Sequence, residues 1–434
     1  MKSPNTNDDA LWKRRFRQPR IIKSDVAAAN PNRGLVCSNK SGKYQLYAWD
    51  VPAGQLQQLT DKEAGVMFGE IDPQGAYVYY LDDQKGDELG HIVRVPFAGG
   101  EPQDLTSDFP PYSDRGMAID YENQHLVLCL TNENGFHLYG LDLEDNGDTI
   151  STLRLLQQTE AFAVMPSINR DGDLVVWHLS QAQKLKYKLS VISWETGEVV
   201  AELSDGLDHS LLVIRFSPLL NDARILGKSN RSGYERPFIW NPLTNERVDL
   251  PFPKFEGDMV PLDWSGNGRL LLLSHVFQAQ QQLYLYDFAQ QNLIRLNHPQ
   301  GVFDSEAGSY FSPDGSIYCG WQDATHPLCL IELDGQTGQK RGTLLAAGDS
   351  LPGQSWESIT FPSTNERSIQ AWMALPGPPE EGPYPTILHM VGGPGGVMRA
   401  SYSANAQMWL DHGFAFVSVN YRGCSTFGQE FKDE

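Results

Sequence analysis

Cysteine is scarce in this chain of 434 residues: there are five, Cys37, Cys129, Cys319, Cys329 and Cys424, and no C-x-x-C pair. An odd, widely spaced set excludes a disulfide framework and a cysteine zinc site, and predicts reduced, mostly buried thiols. Positive charge is short as well. Lys and Arg number 34 against 54 Asp and Glu, a net −20 that repels phosphate backbones, so no nucleic-acid partner is expected. The local basic cluster, Lys13-Arg14-Arg15 with Arg17 and Arg20, reads as a solvated arm. No apolar run approaches the ~18 residues that a membrane span requires, and residues 1–9 are polar with no signal-peptide core. No membrane partner and a cytoplasmic location are therefore expected. The ten histidines form no H-x-x-x-H or H-E-x-x-H, so neither a metal site nor a cofactor is expected.

What the chain has in abundance is a repeat. An apolar residue, a small polar residue and a Gly- or Pro-containing turn recur as Ile71-Asp72-Pro73-Gln74-Gly75, Ile119-Asp120, Ile168-Asn169-Arg170-Asp171-Gly172, Phe216-Ser217-Pro218, Trp264-Ser265-Gly266-Asn267-Gly268 and Phe311-Ser312-Pro313-Asp314-Gly315. The polar position returns every 47–49 residues, and Asn30-Pro31-Asn32 is a degenerate earlier copy. A second element, a short alternating run closed by a polar residue, ends at Asp50, Pro96, Asp142, Ser193, Asn241, Asp287 and Glu332, spaced by 45–51 residues. Pro presets φ and Gly accepts positive φ in such turns. A period in the forties, built from β-branched and aromatic runs, predicts about four strands per unit and a β-propeller. One unit cannot bury both of its faces, so neighbours must stack. Seven copies predict seven blades over residues 30–345, after an N-terminal arm at 1–29. Trp177, Trp240 and Trp321 read as packed strand residues.

Periodicity changes after a Gly/Asp/Ser/Pro linker at 346–356. Residues 358–361 and 369–375 form a hairpin around 362–367, 386–391 reads as a buried strand, 401–412 as a short helix closed by Gly413, and 414–419 as a second buried strand. An apolar strand running into Gly-Gly-Pro, a short helix, and a second strand running into Asn-Tyr-Arg-Gly is how an α/β-hydrolase domain begins. The expected fold class is thus an all-β seven-bladed propeller followed by the N-terminal part of an α/β-hydrolase domain at 357–434.

The combination of repeats, hairpin, Val391-Gly392-Gly393-Pro394 and Gly413-Phe414-Ala415-Phe416-Val417-Ser418-Val419-Asn420-Tyr421-Arg422-Gly423-Cys424-Ser425-Thr426-Phe427-Gly428 resembles the prolyl oligopeptidase family of serine peptidases, in its acylaminoacyl-peptidase-like branch. The specific match covers about 357–434. The resemblance implies a Ser nucleophile, a His base and an orienting Asp, with the oxyanion held by backbone N–H groups. It implies short peptides as substrates and a propeller that gates their access. It places an oxyanion-loop candidate at Gly393, with Gly392, and a cleft-ordering candidate at Arg422. The branch's usual His before Gly-Gly-Pro is Val391 here, with His389 nearest on the strand. No Gly-x-Ser-x-Gly occurs anywhere in the chain, and Ser401, Ser403 and Ser425 lack a nucleophile-elbow context. No catalytic residue is therefore assigned, and the chain is expected to be truncated before the nucleophile and inactive alone. Two alternatives stand beside this reading: a non-enzymatic propeller that binds peptides or proteins, and an esterase of the same fold.

Overall fold

The computed structural model describes residues 7, 9–83, 86–144, 149–150, 152–182, 184–346, 348, 351–392 and 395–434. The described chain is almost all β, with three α-helices: α1 (Leu11–Arg17), α2 (Ala404–Asp411) and α3 (Gln429–Asp433). Seven antiparallel sheets follow one another, each built from four consecutive strands; the third carries one short extra strand. Their first strands are Ile21–Val26, Glu70–Ile71, Ser113–Ile119, Ala163–Ile168, Leu211–Phe216, Asp258–Trp264 and Val302–Phe311.

Both repeated sequence elements have a structural address. The polar turn residue directly follows the first strand of the second to seventh sheets, and the second element ends at the last residue of the third strand in five sheets and one or two residues before it in the third and seventh. The turn residues are buried because their side chains satisfy turn backbone. Asp120 accepts from the Gln124 and His125 N–H groups, Asn169 from Asp173 and Leu174, and Ser265 from Leu270.

Second strands such as His125–Asn132 and Leu270–Phe277 hold continuous apolar runs because neighbours cover both faces. In Leu174–Gln181, Val175, Trp177 and Leu179 pack toward the third sheet, whereas Leu174 and Val176 pack toward the fifth. A buried cluster fills each gap between consecutive sheets. A further cluster, with Ile21, Val26, Val36 and Trp49 against Leu330 and Leu345, joins the first sheet to the seventh. Fourth strands such as Gln55–Gln58 and Glu246–Asp249 are polar and largely exposed. Trp177, Trp240 and Trp321 are buried in these layers, as are Cys37, Cys129 and Cys319; Cys329 is half-buried, Cys424 is buried in the C-terminal unit, and none is in a disulfide.

The C-terminal sheet is wired differently. Glu357–Pro362, Ser368–Ala374, Ala415–Asn420 and Thr386–Met390 lie in that spatial order, the last pair parallel. Helix α2 covers one face through Ala406 and Leu410 against Ala374 and Phe416. Helix α3 covers the other through Phe431 against Ile369 and Val419. Ser403 caps α2 by accepting from the Ala406 N–H, and Gly413 ends it at φ +84°.

Four expectations are corrected here. The arm at 1–29 holds α1 and the whole first strand of the first sheet, because Ile21 and Val26 have a core to enter. Arg15 is not solvated: it is 5% exposed and holds Asp411 through Nε and Nη2 at 2.6 and 2.9 Å. Burial alone would depress its guanidinium, but the Asp411 and Tyr402 contacts outweigh that and keep it charged. The strand at 386–391 is only half-buried, and on one face. Leu388 and Met390 are 65% and 54% exposed, because Thr386–Met390 is the edge of its sheet. Residues 351–354 of the expected linker are docked: the Pro352 carbonyl accepts from Arg15, and the Gly353 N–H donates to the Thr325 carbonyl.

Candidate functional site

The strand Thr386–Met390 delivers the chain into the glycine-rich loop 391–396. Gly392 is exposed; Gly393, the oxyanion-loop candidate, and Pro394 lie outside the described residues. The glycines have a steric basis. Gly395 adopts φ +74°, and a Cβ on Gly396 would come 2.1 Å from the Gly392 carbonyl oxygen. Two adjacent residues of the Asn-Tyr-Arg-Gly segment hold the loop at both ends. Tyr421 Oη donates to the Val391 carbonyl at 2.7 Å. Asn420, fully buried, accepts from the Met398 N–H at 2.8 Å and donates to the Met398 carbonyl at 2.9 Å and to Gln370 Oε1. A parallel bridge pairs Gly395 with Cys424.

This loop borders a cavity of about 350 Å³ between the C-terminal unit and the fifth to seventh sheets. On the sheet side stand Lys228, Glu235, Asp258 and Phe303; on the other stand Gly395, Val397, Arg399 and Lys432. Lys228 pairs with Glu235 at 2.8 Å, and the Glu235 N–H donates to Asp258 at 2.9 Å. Burial, with the Glu235 charge adding to it, pushes the Asp258 carboxyl up against the pull of that hydrogen bond. Arg399 reaches across to Gln281 Oε1 at 3.3 Å, and the same amide donates to Ser274 and accepts from the Phe303 N–H.

The cavity is closed along one side by a backbone seam. Thr426, at φ +74°, accepts from the Ala279 N–H through its hydroxyl and from the Gln278 N–H through its carbonyl. The Gln429 N–H donates to the Gly233 carbonyl. Further along, Gln407 donates to the Ala324 carbonyl. Every one of these partners lies between the second and third strands of the fifth, sixth or seventh sheet, so the C-terminal unit sits on one face of three adjacent sheets. The cavity offers charges of both signs, amide groups and an apolar patch of Val260, Leu262 and Phe303. That suits a peptide, which carries backbone donors and acceptors and charged ends. The described lining residues include Ser425 and no histidine.

Arg422 is not among the cavity-lining residues. Its Nη2 donates to Thr364 Oγ1 at 3.1 Å, and Nη1 lies 3.9 Å from Glu434, so it orders the hairpin turn at 362–367. His389 bonds Ser418 and stacks on Phe416, while His412 bonds the Met408 carbonyl at the end of α2; both are structural. Sequence reasoning missed Lys228, Glu235, Asp258 and Arg399. They stand on separate strands and loops, and no local pattern links them. The clamp by Asn420 and Tyr421 had a signal, since both lie in the quoted motif.

No family model matches the chain. Dipeptidyl aminopeptidase BIII of Pseudoxanthomonas mexicana is 23% identical over 452 residues, covering 95% of this chain and 62% of that protein. The chain thus spans 62% of the length of the curated relative it matches. Among solved structures, a Mycobacterium tuberculosis puromycin-hydrolyzing peptidase superposes with a TM-score of 0.77 at 16% identity, over 96% of this chain and 68% of that one. A prolyl endopeptidase gives 0.76 at 12% identity over 99% and 65%. Acylaminoacyl peptidase of Pyrococcus horikoshii gives 0.63 at 14% over 92% and 64%. At these identities the structural likeness establishes the fold.

Proposed function

We propose, from the premise that this chain is related in sequence and fold to the prolyl oligopeptidase family of peptidases, that it forms the gating and oxyanion-loop portion of a serine peptidase acting on short peptides. The observation that carries this reading is the cavity where the glycine-rich loop, clamped by Asn420 and Tyr421, meets the fifth to seventh sheets. The seven sheets are read as a closed seven-bladed propeller, supported by the cluster that joins the first to the seventh. Such a ring over the cavity excludes folded proteins by size and admits short chains. Gly392 and Gly393 are read as the oxyanion loop, whose glycines let backbone approach a substrate closely.

Hydrolysis by this reading needs a serine nucleophile with its base, and the 434 residues contain no Gly-x-Ser-x-Gly. A fluorophosphonate probe is therefore expected to leave this chain unlabelled, while fluorescent short peptides bind it saturably and folded proteins do not compete. Arg399→Ala and Asp258→Ala are expected to weaken that peptide binding. Labelling would refute the assignment of an inactive portion. Absence of peptide binding, or equal competition by folded proteins, would refute the gated cleft.

A further inference from the structure

The two walls of the cavity beside the glycine-rich loop differ in charge. On the sheet side each acid is engaged: Glu235 holds Lys228 at 2.8 Å, and Asp258 accepts from the Glu235 N–H at 2.9 Å. The wall made by the C-terminal unit carries Arg399 and Lys432 and, among its described lining residues, no carboxylate. Helix α3 sorts its charges accordingly. Glu430 and Glu434 both hold Arg367, at 2.6 and 2.8 Å, and Asp433 accepts from Gln429 Nε2 at 2.6 Å; none of these three acids lines the cavity. Lys432 does line it. Its stem crosses the loop, since a Cβ on Gly395 would come 3.2 Å from Lys432 Cε and 3.7 Å from Nζ. Among the described residues, that ammonium has no hydrogen-bond or ion-pair partner. Arg399 is held in place on the same wall. It donates to Gln281 Oε1 at 3.3 Å, and the Gln281 amide is itself fixed by Ser274 and the Phe303 N–H. Two hydroxyls join them. Ser425 Oγ engages no partner among the described residues, and Thr426 Oγ1 accepts from the Ala279 N–H at 3.2 Å, which leaves its own proton to donate.

We propose that this wall recognises a carboxylate of the bound peptide, with Lys432 as the reading charge and Arg399, Ser425 and Thr426 as supporting donors, so that short peptides bearing a carboxylate are selected over neutral ones. The inference rests on reading the cavity as the peptide-binding cleft. An ammonium on a cavity wall is stabilised by an acceptor of opposite charge, and a hydrogen bond between ionised groups is stronger than a neutral one. A peptide offers that acceptor in two places, its C-terminus and an Asp or Glu side chain. The net charge of −20 acts in the opposite sense. Over long range it disfavours an anionic ligand, so a preference for one reports local contacts and not the overall field.

The test is calorimetric titration of the full 434-residue chain with two pairs of tripeptides. One pair is Ala-Ala-Ala as the acid and as its C-terminal amide; the other is Ala-Glu-Ala and Ala-Gln-Ala, both amidated. The first pair reads a terminal carboxylate and the second a side-chain carboxylate. In at least one pair the carboxylate peptide is expected to bind about tenfold more tightly, the scale of one hydrogen bond between charged groups. Lys432→Gln is expected to bring that ratio to within about twofold, whereas Lys432→Arg keeps most of it. Equal binding within both pairs, or a wild-type ratio in Lys432→Gln, would overturn carboxylate recognition by Lys432 and leave the peptide cleft standing. Failure of every peptide to bind would overturn the cleft and this inference with it.

Discussion

In the second to seventh of the consecutive four-stranded sheets a buried polar residue closes a turn within five residues of itself; in the C-terminal sheet a buried polar residue ties segments tens of residues apart. Asn169 bonds the backbone of Asp173 and Leu174. Asn420 bonds Met398 and Gln370, which lie 22 and 50 positions away. The first arrangement stabilises one hairpin and can be repeated along a chain without reference to the rest of the molecule. The second has no partners until the parallel pair of strands has formed, so its loss falls on tertiary structure and on the loop at the cavity.

That contrast can be broken or sharpened by substitution. The largest effect is expected at the longest-range contact. Arg15→Met leaves Asp411 partly buried without its cation, which typically costs about 3–5 kcal/mol, and urea unfolding monitored by tryptophan fluorescence would read it. Arg14→Ala, one residue away and exposed, serves as the control and should stay within about 0.5 kcal/mol of wild type. Next comes Asn420→Ala. It strands the Met398 N–H and carbonyl and the Gln370 amide together, so about 2–3 kcal/mol is expected, with faster exchange at Met398 than in any of the seven consecutive sheets. Asn169→Ala removes a local closure that its turn partly keeps through backbone bonds. A smaller loss of about 1–2 kcal/mol is expected, with exchange changes confined to the fourth sheet. Tyr421→Phe deletes one hydroxyl bond to Val391 and should cost about 1 kcal/mol while weakening peptide binding more than stability. Equal losses at Asn420 and Asn169, with equally local exchange changes, would abolish the distinction.

Much of the series of seven sheets could be read from the sequence because its information is local. The polar turn residues at 72, 120, 169, 217, 265 and 312 mark the end of first strands, and the repeat positions 50, 96, 193, 241 and 287 end third strands. Alternate residues of Leu174–Gln181 face two different neighbours, so its first four residues are all apolar. In the C-terminal unit the hairpin, α2 and its Ser403 cap could be read for the same reason. Arg15 could not. Its charge and its basic neighbours suit a solvated arm, and only the presence of Asp411 beside it makes burial tolerable. The exposure of Leu388 was also hidden, because an apolar run does not say whether its sheet continues on both sides.

By itself the sequence determined the unit: a hairpin-forming repeat with its turns, its strands and its count, and the glycine-rich loop with the motif that clamps it. Turn chemistry and period-two burial act between residues close in the chain, so they leave a local trace. Only the tertiary structure decided that the first sheet meets the seventh, that α1 is pinned to α2 through Arg15, and that Lys228, Glu235, Asp258 and Arg399 face one cavity. Those encounters join residues from distant parts of the chain, and their energy exists only once packing has brought the partners together and removed the water between them.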